Sequence, residues 1–134
     1  MNKGEPEILF EFSPGLDTAF LRDLYGDDLQ QAEVIFESSL KHLKSEIMVA
    51  ESRFHDGDVS GLKKVVHKMK PLFGYVGLGN MQEAFSAFEE DCARAQSPEE
   101  IVRGFGQLMD DTEKALQIIE AELKRLVQYN TQFL

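Results

Sequence analysis

The run DLQQAEVIFESSLKHLKSEIMVAESRF, Asp28 to Phe54, places Leu29, Ala32, Phe36, Leu40, Leu43, Ile47, Ala50 and Phe54 at intervals of three and four. Residues spaced this way share one face of an α-helix, so the run predicts one long helix with a single apolar seam. Such a helix is not stable alone in water and has to bury its seam against other elements.

Working outward, Asp56-Gly57-Asp58 follows the run as a stop and a restart: glycine takes the left-handed turn and Asp58 caps a next helix over about Val59 to Tyr75. Gly77-Leu78-Gly79-Asn80 interrupts again, and Met81, Phe85, Phe88 and Cys92 mark a fourth helix ending near Gln96. Ser97-Pro98-Glu99-Glu100 is a helix start, with Ser97 as cap, Pro98 in the first turn and Glu100 reaching back. The last helix carries the seam Ile101, Phe105, Leu108, Thr112, Ala115, Ile119, Leu123 and Leu126, with Gly104 and Gly106 as weak points. Upstream, a brief helix over about Asp17 to Tyr25 is stopped by Gly26. Residues 1–15, with Gly4, Pro6, Pro14, Gly15 and the short run Ile8-Leu9-Phe10, read as an arm against a domain of residues 16–134. Short connections force consecutive helices together, so the expected fold is all-α: an antiparallel up-down four-helix bundle with a short additional N-terminal helix capping one end.

The chain has 134 residues, 43% hydrophobic and 28% charged, a composition that folds as one globular unit. Twenty-four acidic against 14 basic residues give a net charge of -10, which repels nucleic-acid backbones and anionic lipid surfaces. Neither nucleic acid nor membrane is an expected partner. The single cysteine, Cys92, allows no intramolecular disulfide and no cysteine-cluster zinc site. No stretch approaches the roughly 20 apolar residues that span a bilayer, and Met1-Asn2-Lys3-Gly4-Glu5-Pro6 lacks the order of a secretory signal. A cytoplasmic location is the expectation.

The third helix carries the chemistry. On a helical projection Leu62, Val65, Val66, Met69, Leu72, Phe73 and Val76 form the apolar stripe, and His67 stands at the centre of the opposite side. Within about 60° of His67 lie Lys63, Lys64, Lys70, Pro71 and Gly74, none with a large apolar side chain to bury. From Val59 to Gln82 there is no acid at all, whereas Lys63, Lys64, Lys68 and Lys70 make a basic island on an acidic protein. Lys70, three residues after His67, lies about 5–6 Å from it at Cβ, close enough to neutralise a phosphoryl oxygen. Gly74, seven residues on, leaves space roughly 10.5 Å further along the same stripe for another protein to approach.

His67-Lys68-Met69-Lys70, followed by Gly74 and Gly77-Leu78 in the third of five helices, resembles the histidine-containing phosphotransfer (HPt) domain of multistep two-component phosphorelays. The resemblance covers nearly the whole chain in helix order. It implies that His67 is the phosphoacceptor, that Lys70 steadies the phosphoryl group, and that Gly74 is the small residue permitting docking. Lys63, Lys64, Lys68 and Pro71 join Gly74 as candidate docking positions. Pro71 departs from the family, which commonly has glycine there, and removes a backbone donor to the carbonyl of His67.

The implied chemistry is attack of a neutral imidazole nitrogen on a receiver-domain aspartyl phosphate, then transfer to another receiver. The implied partners are response-regulator receiver domains and a hybrid sensor kinase, and the chain is expected to be a monomeric phosphoryl carrier rather than an enzyme with its own ATP site. No cofactor is expected. Magnesium belongs to the receiver, since no convergent carboxylates are expected near His67, and the surrounding lysines are expected to favour the neutral ring.

The remaining residues read more plainly. His42 and His55 lack the lysine and glycine pattern, Glu51 with His55 is too few ligands for a metal, and the phenylalanines are core. Cys92 reads as an inert buried thiol. No Walker loop, nucleotide fingerprint or Ser-His-Asp set is present. The alternative to the relay is a helical interaction module in which His67 is never modified.

Overall fold

The computed structural model describes residues 10–132. It is all-helical, with five α-helices: α1 Thr18–Tyr25, α2 Leu29–His55, α3 Val59–Tyr75, α4 Gly79–Arg94 and α5 Val102–Gln132. No strand occurs among the described residues. α2 packs on α3 and α5, and α4 packs on the same two.

Three helices begin in the same way. The carboxylates of Asp17, Asp28 and Asp58 accept the backbone N–H three residues on, from Phe20 (3.1 Å), Gln31 (3.1 Å) and Gly61 (2.8 Å). Each satisfies a donor that the first helical turn leaves without a partner. α4 starts at Gly79, two residues earlier than its first apolar residue suggests, and ends at Arg94. Pro98–Ile101 forms a turn of 3-10 helix leading into α5, and Glu100 Oε2 accepts from Ser97 N at 2.9 Å. α5 then runs through Gly104 and Gly106 without interruption.

α3 ends in a Schellman motif: Leu78 N donates to Phe73 O (2.9 Å) and Gly77 N to Gly74 O (3.1 Å). Gly77 has φ +76°, and a Cβ there would lie 2.8 Å from Leu21 Cδ1, while its carbonyl accepts from Asp17 N. The turn thereby joins α1 to the end of α3. Gly77→Ala is expected to lower unfolding free energy by about 1–3 kcal/mol, from backbone strain and the clash together, as read by denaturant unfolding.

The seam residues Phe36, Leu43, Leu62, Met69, Phe73, Phe85, Ile119 and Leu126 are fully buried, as their spacing predicts. Burial of aromatic and aliphatic side chains on this scale, about 1.5–3 kcal/mol each, is what opposes chain entropy. In α5 the pattern deviates. Leu123 is only partly buried, and Glu122 takes the inner position with 1% exposure. The inversion follows from the arm: Ser13 N and Oγ both donate to the Glu122 carboxylate at 2.7 Å, and Arg125 Nη1 donates at 2.6 Å. Arg125 also donates to Glu11 O and lies over the Phe10 ring at 4.6 Å. Phe12 is buried against Phe36 and Tyr25. The arm is therefore anchored to the domain through Phe12 and Ser13, while Glu11, Pro14 and Gly15 are exposed; Ile8 and Leu9 lie outside the described residues.

Candidate functional site

His67 is eight residues from either end of α3, and its side chain is 69% exposed. The burial pattern around it follows the apolar stripe, with Leu62, Val65, Val66, Met69 and Phe73 buried and Leu72 partly so. An exposed histidine held on a packed helix is fixed in position while its ring stays accessible.

The ring is not surrounded by cations alone. Its Nδ1 lies 2.8 Å from Glu89 Oε2, and Glu89 Oε1 lies 2.7 Å from Lys70 Nζ. A single carboxylate thus reaches the ring, beside the lysines that the sequence of α3 placed there. The acid-free stretch holds along α3 only, and α4 supplies the acid from 22 residues downstream. The contacts form a ladder. Lys70 Nζ donates to Ser86 Oγ (3.3 Å) and Gln82 Nε2 donates to Lys70 O (3.1 Å), so positions rising along α3 meet positions falling along α4. Gln82, Ser86 and Glu89 repeat at four and three, one polar edge beside the apolar face of Met81, Phe85, Phe88 and Cys92. That spacing is the signal that could have found them.

Glu89 is mostly buried, its side chain 18% exposed. Its carboxyl is held below the usual value, first by the hydrogen bond from Lys70, with the charge of Lys70 and the contacts to His67 adding, against the opposing effect of burial. A depressed carboxyl stabilises the fold above its ordinary pKa of 4.5, and the contribution is lost as pH falls below that through the lowered value. Through the neutral range Glu89 is an anion shared by two side chains of α3.

The other candidate positions separate. Ser60, Lys63, Lys64, His67 and Glu89 line one open depression, which places Lys63 and Lys64 beside the ring. Lys68 turns to the other flank, with its Nζ 3.4 Å from Glu46 Oε1 on α2. Pro71 is exposed, and α3 continues through it to Tyr75. The space expected over Gly74 is taken by Gln82 of the same chain: a Cβ on Gly74 would lie 2.6 Å from Gln82 Nε2. Gly74→Ala is expected to push the Gln82 amide off Lys70 O, a loss of about 1 kcal/mol that the helix propensity of alanine offsets in large part, so the denaturation midpoint should move little while the Gln82 amide signal shifts in NMR.

Cys92 is buried, which pushes its thiol up to about 11 and leaves almost no thiolate at neutral pH. His42 and His55 are exposed. No group of three metal-ligating side chains occurs among the described residues, and no helix among them is long and apolar enough to cross a membrane.

Chemically, the site is an exposed imidazole with Nδ1 held by a carboxylate. A carboxylate on Nδ1 favours the tautomer that keeps the proton there and leaves the Nε2 lone pair outward. Lys63 and Lys64 line the same depression as the ring, and Lys70 shares the Glu89 carboxylate with it, so three cations lie around His67. No family model, curated protein or solved structure matches the chain.

Proposed function

We propose that the chain is a phosphorelay intermediate of the HPt kind, which accepts a phosphoryl group from a receiver-domain aspartate on His67 Nε2 and passes it to another receiver domain. The observation that carries this reading is the exposed imidazole on a packed helix, Nδ1 engaged by Glu89 and Lys70 one turn away. In the transfer, Nε2 attacks phosphorus in line, the aspartate carboxylate leaves, and the ring becomes a phosphoimidazolium that keeps its proton on Nδ1 and donates it as a hydrogen bond to Glu89. Lys70 offsets charge on the phosphoryl oxygens. Lys63 and Lys64, which line the same depression as the ring, and the exposed Pro71 are the docking positions this reading keeps; Lys68 lies on the other flank with Glu46, and the space over Gly74 is filled by Gln82.

The proposal includes the antiparallel up-down arrangement of α2 to α5, supported by opposed pairings such as Lys44 with Glu120 and Phe54 with Phe105 between α2 and α5. It also includes a monomeric carrier acting in the cytoplasm between receiver domains, a hybrid sensor kinase among their sources. The receiver supplies magnesium, and the chain itself neither binds ATP nor acts as a kinase. The test is to offer the purified protein a panel of phosphorylated receiver domains. The relay reading requires acid-labile, alkali-stable phosphate on the wild-type chain and its onward transfer. An interaction module would bind a receiver and remain unlabelled.

A further inference from the structure

Glu89 does more than hold a ring in place, because it is charged and because it is shared. Its two oxygens contact different side chains: Oε2 takes His67 Nδ1 at 2.8 Å and Oε1 takes Lys70 Nζ at 2.7 Å. An amide could orient the imidazole equally well through its carbonyl oxygen. Only a carboxylate adds a negative charge to the ring's proton-bearing edge.

Resting on the relay reading, we infer that Glu89 is a positioning residue that keeps Nδ1 protonated on phosphorylated His67, so that the phosphoryl group leaves from an imidazolium and stays labile to a higher pH than it otherwise would.

The atoms balance. In the loaded state Nε2 bears the phosphoryl group and Nδ1 bears a proton, so the ring is cationic. When an acceptor carboxylate attacks phosphorus, the Nε2–P bond breaks and its electron pair returns to Nε2. The ring leaves as neutral imidazole with the Nδ1 proton still directed at Glu89, and no proton has to be found at the moment of transfer. Without the Nδ1 proton the leaving group would be an imidazolate, a far poorer one.

Lys70 sharpens the effect. A phosphoryl group carries about −1.5 to −2 charge near neutral pH and competes with the carboxylate for the ammonium. The hydrogen bond from Lys70 is the largest cause holding the Glu89 carboxyl down. As Lys70 turns toward phosphate, Glu89 becomes a better acceptor for the Nδ1 proton. The other charged groups facing the ring are Lys63 and Lys64 of α3, which oppose protonation. From α2, Glu46 is engaged with Lys68 on the far flank. Glu89 is thus the carboxylate at hydrogen-bond distance from the ring.

The experiment loads the full-length chain with phosphoramidate, a donor that needs no receiver, and follows loss of phosphohistidine between pH 5 and 9 in wild type and Glu89→Gln. Glu89→Gln keeps an acceptor oxygen and removes the charge. The wild-type rate profile is expected to lie about one pH unit to the alkaline side, which makes hydrolysis at its alkaline end roughly tenfold faster than in the variant. Ring-nitrogen NMR of the phosphorylated wild type supplies a readout independent of any variant. Its Nδ1 should titrate at higher pH than free phosphohistidine in the same buffer. Superimposable rate profiles, or a ring that titrates like the free amino acid, overturn the inference. Failure of receivers to load His67 while phosphoramidate does so overturns the relay reading and leaves the effect of Glu89 directly measurable.

Discussion

His67→Gln is expected to abolish acid-labile, alkali-stable phosphate on the chain after incubation with a phosphorylated receiver, with the fold and the affinity for that receiver preserved. The loss is complete rather than partial because glutamine has no nucleophilic nitrogen. Its amide N–H can still reach Glu89, so the carboxylate that now contacts Nδ1 is not stranded. With the side chain 69% exposed, the cost to stability is expected within about 0.5 kcal/mol. Label counted by autoradiography after acid and alkali treatment gives the first result and circular dichroism the second. Retention of label in the variant would move the phosphoacceptor to another residue. Absence of label in wild type with binding intact would favour the interaction module.

Lys70→Ala is the second large effect, and its sign can be argued in two steps. In the unloaded protein the ammonium stands 2.7 Å from Glu89, 23% exposed, and its removal deprives that carboxylate of its principal partner. Glu89 then titrates nearer the usual range, and the acid limit of its stabilising contribution moves up toward pH 4.5. In transfer, loss of one preorganised cation at a site of developing phosphoryl charge costs roughly 10²-fold in rate. Single-turnover transfer from a phosphorylated receiver measures it. Lys70→Arg should recover part of the rate, since the charge is restored on a side chain of different reach and shape. Unchanged kinetics in Lys70→Ala would remove the lysine from the mechanism.

Helix boundaries were the most readable feature of the sequence. Asp17, Asp28 and Asp58 each precede an amphipathic segment and each accepts the N–H that a cap should take. α3 was legible to the residue because its start is capped by Asp58 and its end precedes a glycine at positive φ. α4 was less so. Leu78, at its start, makes no side-chain cap, and no local chemistry announces the first turn.

Within the site, one helix was legible and its neighbour was not. His67, Lys63, Lys64 and Lys70 could be grouped because α3 alone sets their angular spacing. Glu89 belongs to Glu89-Glu90-Asp91, three consecutive acids that read as a solvated face, and only the packing of α4 on α3 selects the first of them. The same limit explains Glu122. Helical periodicity allows either Glu122 or Leu123 between Ile119 and Leu126, and hydrophobicity argues for leucine. The choice was reversed by Ser13, 109 residues distant, whose two donors make a buried carboxylate tolerable. Gly74 failed for a related reason, since its open space is defined by a side chain of another helix.

The placement of His67 at the midpoint of a helix, about 12 Å of backbone from either end, has a kinetic corollary. An imidazole there has no hinge on which to swing, so in the proposed relay every visitor must come to the same seat. Two visitors cannot be served at once. In the proposed relay, occupancy by a discharged donor would delay the next arrival, and throughput would be governed by how fast the spent one departs.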